Sequence, residues 1–289
     1  MQNSNFYKIY HEFRKPCTEY KTDNNASCYE KASRSIQGSL DDSKILKDLY
    51  SNLFRIYASI PYTNNDYFDF DISEYQKMYC ISLKYWLYDQ IISEGLEETK
   101  INAIFHGWET YLKNKIKNKS PDLCIFHKLK KDEINMIKNI YALYAIFYDN
   151  TNISENCNND KCKYIDYFGK GLDNLINSIK KCSSDSSNKE YCNEFNEFLE
   201  QCKNNIKQSG ISIYQENNKG TSDTIGKYLL SVENYNDKPL YIYLKNDELL
   251  NFVKTSDFLS NKITTIAATS VVGSAIGLSS IFYYFYKVN

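Results

Sequence analysis

Helix breakers are scarce in this chain: four prolines and ten glycines are spread over 289 residues. So few interruptions argue against a fold of many tight turns and for a largely helical one. An excess of charge of one sign is missing as well. The 35 basic and 36 acidic residues leave a formal net charge of -1. That balance gives no reason to expect nucleic acid or anionic lipid as a partner, because both select a concentrated basic surface. Arginine occurs only as Arg14, Arg34 and Arg55, so bidentate phosphate recognition is poorly supplied. The three histidines, His11, His106 and His127, are scattered. There is no G-x-S-x-G elbow, no H-E-x-x-H helix and no phosphate-cradling G-x-x-x-x-G-K. Gly169-Lys170-Gly171 falls inside a helical stripe and is too short for a phosphate loop. A Cys124–His127 nucleophile pair would lack a third, orienting group, and a helix-terminal pair near Pro121 is the better account of it. No catalytic, cofactor or metal site is expected, and the chain is read as a non-enzyme.

What is present is a globular composition, 42% hydrophobic and 25% charged. The 27 tyrosines fit an A/T-rich coding bias, together with the abundance of Asn, Lys and Ile. They also supply amphipathic side chains for core boundaries and interfaces. Nine cysteines stand at Cys17, Cys28, Cys80, Cys124, Cys157, Cys162, Cys182, Cys192 and Cys202. None forms a C-x-x-C pair, so a structural zinc site is disfavoured. All lie upstream of a hydrophobic tail, as an oxidising ectodomain would have them, and all nine are disulfide candidates. Buried thiols in a reducing compartment are the competing reading. An odd number leaves at least one without an intrachain bridge. Asn25, Asn118 and Asn152 head N-x-S/T sequons, which mark only where glycans could attach.

Residues 263–286 read ITTIAATSVVGSAIGLSSIFYYFY, with no charge, between Lys262 and Lys287. At about 1.5 Å per residue the run crosses the roughly 30 Å hydrocarbon core, with an aromatic cluster at its end. Thr269, Gly273 and Gly277 form a small-xxx-small series that could pair two such helices as a homodimer. The opening residues MQNSNFYKIYHEFRKPC contain no apolar run of signal-peptide length. The hydrophobic helix itself, or a non-standard route, is therefore expected to direct insertion. Flanking lysines are too even to orient the span, so the cysteines place residues 1–260 on the oxidising side.

Apolar residues recur at helical steps in six places. Four stripes are Ile45-Leu49-Leu53-Ile56-Ile60, Ile72-Tyr75-Tyr79-Leu83-Trp86-Ile91, Ile101-Phe105-Trp108-Leu112-Ile116 and Ile134-Ile137-Tyr141-Tyr144-Tyr148. Two more are Cys162-Ile165-Phe168-Leu172-Leu175-Ile179-Cys182 and Cys192-Phe195-Leu199-Cys202-Ile206, separated by the polar SSDSSNKE. A hairpin folded near Ser187 would bring Cys182 and Cys192 within bridging distance, although both read equally well as small core residues. In residues 210–260, Gly210, Gly220, Gly226 and Pro239 interrupt the pattern, so an irregular membrane-proximal stalk or variable region is expected, with a strand at LYIYL, 240–244. The expected fold class is all-α. A multi-helix disulfide-linked ectodomain bundle (1–209) precedes the stalk, a single C-terminal transmembrane helix (261–287) and a residual tail (288–289).

The string YCISLKYWLYDQI, 79–91, resembles the central helix motif of the Plasmodium interspersed repeat superfamily, in particular its Vir branch. The Cys17–Cys28 segment, the 182–202 region and the hydrophobic tail agree with that family in order. The resemblance implies a variant surface antigen of a malaria parasite, displayed on or exported to the infected red cell. It would act in immune evasion and in adhesion to host receptors. The expected partners are the lipid bilayer and a host-cell receptor or antibody. The alternative is an intracellular membrane-anchored adaptor with reduced cysteines. Members commonly continue into a short basic tail, whereas three residues follow Tyr286 here, a departure from the family pattern that a truncated gene model would also produce. Within the motif, Leu83, Trp86 and Leu87 share a side with Cys80 one turn earlier, which marks it as scaffold.

Overall fold

A computed structural model describes residues 5–17, 28–29, 44–59, 68, 76–113, 124–144, 163–184, 189–203, 210–215, 228–245, 247, 249–250 and 253. The chain divides into two units, Gln2–Tyr141 and Ala142–Asn289.

In the first unit a helix that no stripe announced, α1 (Asn5–Arg14), precedes those into which the stripes fold, α2 (Lys44–Ser59), α3 (Gln76–Ser93), α4 (Glu98–Gly107) and α5 (Lys131–Ala142). α1 and α2 both pack on α3, and α2 also meets α4. The stripe residues Ile45, Leu49, Leu53 and Ile56 of α2 are all buried. Ile60, Ile72, Tyr75, Ile116 and Tyr148 lie outside the described residues. The one-sided reading of α3 needs correction. Tyr79, Cys80, Leu83, Trp86 and Leu87 are buried as expected, but so are Met78, Ile81, Ser82, Lys84 and Tyr88. A helix apolar on most of its circumference belongs in the middle of a bundle, because every side needs a covering partner.

Local chemistry sets the helix ends. After α3, Gly95 takes φ +65°, its N–H bonds the Ile92 carbonyl at 3.1 Å, and the Leu96 N–H bonds Ile91 at 3.2 Å. This pair of bonds is the Schellman arrangement, which needs a left-handed residue at that position. No atom lies within 4 Å of a Cβ built on Gly95, so the cost of Gly95→Ala is purely conformational. The substitution is expected to lower unit stability by about 1 kcal/mol, read from the urea midpoint. At the start of α5, Glu133 accepts the Lys130 N–H at 2.9 Å while the Ile134 N–H bonds the Lys130 carbonyl at 2.8 Å. Glu98 of α4 accepts the Lys131 N–H at 2.7 Å. Two donors that the helix itself cannot satisfy are thus met by carboxylates, which the helix dipole also favours. Past Gly107, α4 widens into a π turn, Trp108–Leu112, with both end side chains buried.

The second unit contains α6 (Lys163–Ser184), α7 (Lys189–Cys202) and strands β1 (Ile211–Gln215), β2 (Tyr228–Tyr235) and β3 (Lys238–Leu244). The strands form one antiparallel sheet in the order β1-β3-β2. This corrects the all-α expectation, and it corrects the irregular stalk over the described part of 210–260. The sequence cue was the density of Tyr, Ile and Val, which suit a pleated, half-buried surface. Asn236 and Asp237 adopt φ of 51° and 60° between Tyr235 and Lys238, the left-handed pair that a tight two-residue hairpin requires. Pro239 is tolerated in the central strand for a positional reason. It opposes Asn234, one pair beyond the residues flanking the turn, so its missing donor faces away from β2.

Leu240, Ile242 and Leu244 on one face of β3 are fully buried, and on the other Tyr241 and Tyr243 cluster with Leu229. α6 packs on β2. Burial pushes Tyr235 and Tyr243 each from the ordinary 10 up to about 12. The unfolded phenols ionise near 10 while the folded ones resist. The stability they contribute is therefore fully present below pH 10 and is lost as pH rises through about 12. Alkaline titration followed by tyrosinate absorbance and circular dichroism should show this. Complete ionisation near pH 10 with the sheet intact would contradict it.

Among the described residues, no helix is long and apolar enough to cross a membrane. The hydrophobic run 263–286, with Thr269, Gly273 and Gly277, lies outside them.

Candidate functional site

The motif helix α3 carries two charged residues between Cys80 and Ile91, Lys84 and Asp89. Asp89 accepts the Tyr10 hydroxyl at 2.7 Å and the Lys138 ammonium at 3.1 Å. One carboxylate therefore joins α1, α3 and α5. Burial and the Asp89 charge hold the Tyr10 phenol well above the ordinary tyrosine range, so it stays a neutral donor. Lys84 is buried, with its ammonium 6.0 Å from the Phe126 ring centre. A paired acid, a neutral phenol and a lysine over an aromatic face hold helices together. None is arranged as nucleophile and base.

A second buried group centres on Arg55 of α2. Its guanidinium donates to the Glu12 carbonyl at 3.3 Å, lies 3.6 Å from the Glu12 carboxylate and sits 4.7 Å from the Phe68 ring centre. Asn52, one turn earlier, donates to the Phe13 carbonyl at 3.1 Å. The last carbonyls of α1 are thus met by α2 side chains, and a cation stands where the helix dipole is negative. Above this lies an aromatic array. Phe6, Tyr7 and Tyr10 of α1 meet Tyr85 of α3 edge-to-face at 5.2–6.2 Å. Tyr7 and Tyr85 remain half-buried.

The cysteines resolve unit by unit. In the first unit Cys17 bonds Cys28 and Cys80 bonds Cys124, with Cα separations of 5.5 and 5.3 Å. Cys124 is therefore no thiolate nucleophile, and its N–H is held by the Tyr57 hydroxyl at 3.4 Å. In the second unit Cys182 of α6 bonds Cys192 of α7 at a Cα separation of 5.4 Å. Ser178 and Tyr191 share a buried hydroxyl contact beside it, and the Lys181 ammonium lies 4.5 Å from the Tyr191 ring centre. Cys202 keeps its thiol fully buried, and burial raises its pKa well above the usual value, so it is protonated and poorly reactive. Cys157 and Cys162 lie outside the described residues.

No family model matches the chain, and comparisons with curated proteins and with solved structures return no match. Among the described residues, the polar groups centred on Asp89 and Arg55 hold helices together. Sequence reasoning missed Arg55 and Asp89 as organising residues. The available signal was an ion flanked by apolar neighbours within a helix, Leu53-Phe54-Arg55-Ile56 and Leu87-Tyr88-Asp89, because such an ion must find a partner.

The stretches 151–161, 182–189 and 211–238 are polar and poor in core residues, which marks them as candidate variable surfaces; of these, 151–161 lies outside the described residues. In 182–189 the described part is the ends of α6 and α7, and in 211–238 it is mainly strand β1 and strand β2. The described part of that last stretch is corrected as a free surface: Ile211, Ile213, Leu229, Leu230 and Tyr235 are buried.

Proposed function

We propose that this chain is a membrane-anchored, non-enzymatic variant surface protein of the Plasmodium interspersed repeat type. In this reading it is displayed at the parasite or infected red-cell membrane and meets host receptors or antibodies. The observation that carries the reading is the sulfur chemistry. Six of the nine cysteines pair as Cys17–Cys28, Cys80–Cys124 and Cys182–Cys192. Such bonds persist in oxidising compartments and are reduced in the cytosol. The uncharged run 263–286 supplies the anchor in this reading, and Thr269, Gly273 and Gly277 a seam for pairing two copies. The buried state of the 79–91 motif supports its part as scaffold, since a helix enclosed on most sides leaves recognition to exposed segments.

Two measurements test the proposal. Protease added to intact infected cells should degrade residues 1–260, and full protection would refute surface display. Thiol labelling of the unfolded, unreduced protein should reach no more than three of the nine cysteines, since six are paired. Labelling of all nine would favour the intracellular adaptor instead.

A further inference from the structure

We propose that the exposed face of α1 is a binding surface for a sulfated, polyanionic glycan. Lys8, His11 and Lys15 recur along it at steps of three and four, with Arg14 alongside, and all four side chains are exposed. From Lys8 to Lys15 the charges run roughly 10 Å along the helix. Beneath them lies the buried Arg55. Against the fixed cations Lys8, Arg14, Lys15 and Arg55, α1 carries one carboxylate, Glu12, which bonds both Lys15 and Arg55. Asp89, the carboxylate that reaches α1 through Tyr10, is bonded to Lys138. The face is therefore locally electropositive even though the whole chain has a net charge of -1.

Aromatic rings border the same face. Tyr7 and Tyr85 stand half-buried 6.2 Å apart, and the Arg14 guanidinium lies 5.8 Å from the Tyr10 ring centre. Ammonium and guanidinium groups bond sulfate oxygens through charge-assisted hydrogen bonds, while fixed tyrosine rings offer apolar faces to the C–H sides of sugars. Cations in a line fit a chain of anions better than they fit a plane of lipid headgroups. The disulfides argue for a compartment where nucleic acid is not the polyanion at hand. The inference deepens the display reading and rests on it only for access to a cell-surface glycan. A measurement with purified protein tests it without that reading.

The full-length protein in a neutral detergent is titrated with heparin over a series of salt concentrations. The unmodified protein should bind, and K8Q/R14Q should weaken binding about tenfold or more and reduce the log–log salt slope by about one to two. K128Q/K130Q, which neutralises two exposed lysines outside α1, should leave both quantities unchanged. Failure of the unmodified protein to bind at physiological ionic strength overturns the proposal. So does equal weakening by both double variants, which would report general charge. Binding to phosphatidylserine vesicles with no binding to heparin would assign the face to a membrane and equally overturn it.

Discussion

Replacing Cys80 and Cys124 together by alanine is expected to lower the unfolding free energy by about 4 kcal/mol, the largest loss anticipated for any one bridge described here. The bond joins residues 44 apart in sequence, against separations of 11 for Cys17–Cys28 and 10 for Cys182–Cys192. A cross-link stabilises mainly by removing freedom from the unfolded chain, and that loss grows with the loop it closes. The same relation gives about 3 kcal/mol for each of the shorter bridges. The measurement is available within the protein. Its two tryptophans, Trp86 and Trp108, are both buried in the unit that contains Cys80 and Cys124. Trp108 also lies 4.9 Å from the ring of Phe126, two residues beyond Cys124. Urea unfolding followed by tryptophan fluorescence should shift strongly for C80A/C124A. A change below about 1 kcal/mol would show that the loop is already restrained in the unfolded state.

Arg55→Ala is expected to cost about 3 kcal/mol, at the lower end of what loss of one partner from a buried ion pair costs. The Arg55 side chain is 2% exposed and that of Glu12 is 15% exposed, so water compensates Glu12 only in part when its partner goes. The substitution also strips a donor from the Glu12 carbonyl at the end of α1 and the cation from the Phe68 ring. Arg55→Lys should recover part of the loss. Lysine keeps the charge but lacks the fixed fork that meets a carbonyl and a carboxylate together. Tryptophan fluorescence in urea again provides the readout. If R55K and R55A were equally destabilised, the geometry of the fork, and not the charge, would carry the stabilisation.

The helices were legible because their evidence is local. Ile45, Leu49, Leu53 and Ile56 declare a buried face by spacing alone, and α2 buries all four. Phe168, Leu172, Leu175 and Ile179 do the same for α6, and Phe195 and Leu199 for α7. The strand at LYIYL was readable from its residue types and falls within β3. The sheet around it was not. β1 and β2 are recognisable chiefly as partners of β3, and pairing between residues as distant as Ile211 and Leu244 leaves no mark on either segment by itself. The apolar stripe through α3 was likewise read as one-sided, because periodicity reports which residues prefer burial and cannot count how many neighbours surround the helix.

The amino-acid sequence alone determined that this is a largely helical chain with cysteines confined to one side of a single long uncharged run, and without recognisable catalytic motifs. Those properties follow from composition and from spacing along the chain, which need no knowledge of distant contacts. Tertiary structure alone decided which cysteines bond, that Arg55 of α2 meets the last carbonyls of α1, that Asp89 joins three helices, and that the segment after α7 folds as a sheet on α6. Each of these depends on bringing together groups far apart in sequence. Their energies come from geometry and exclusion of water, which a linear pattern does not encode.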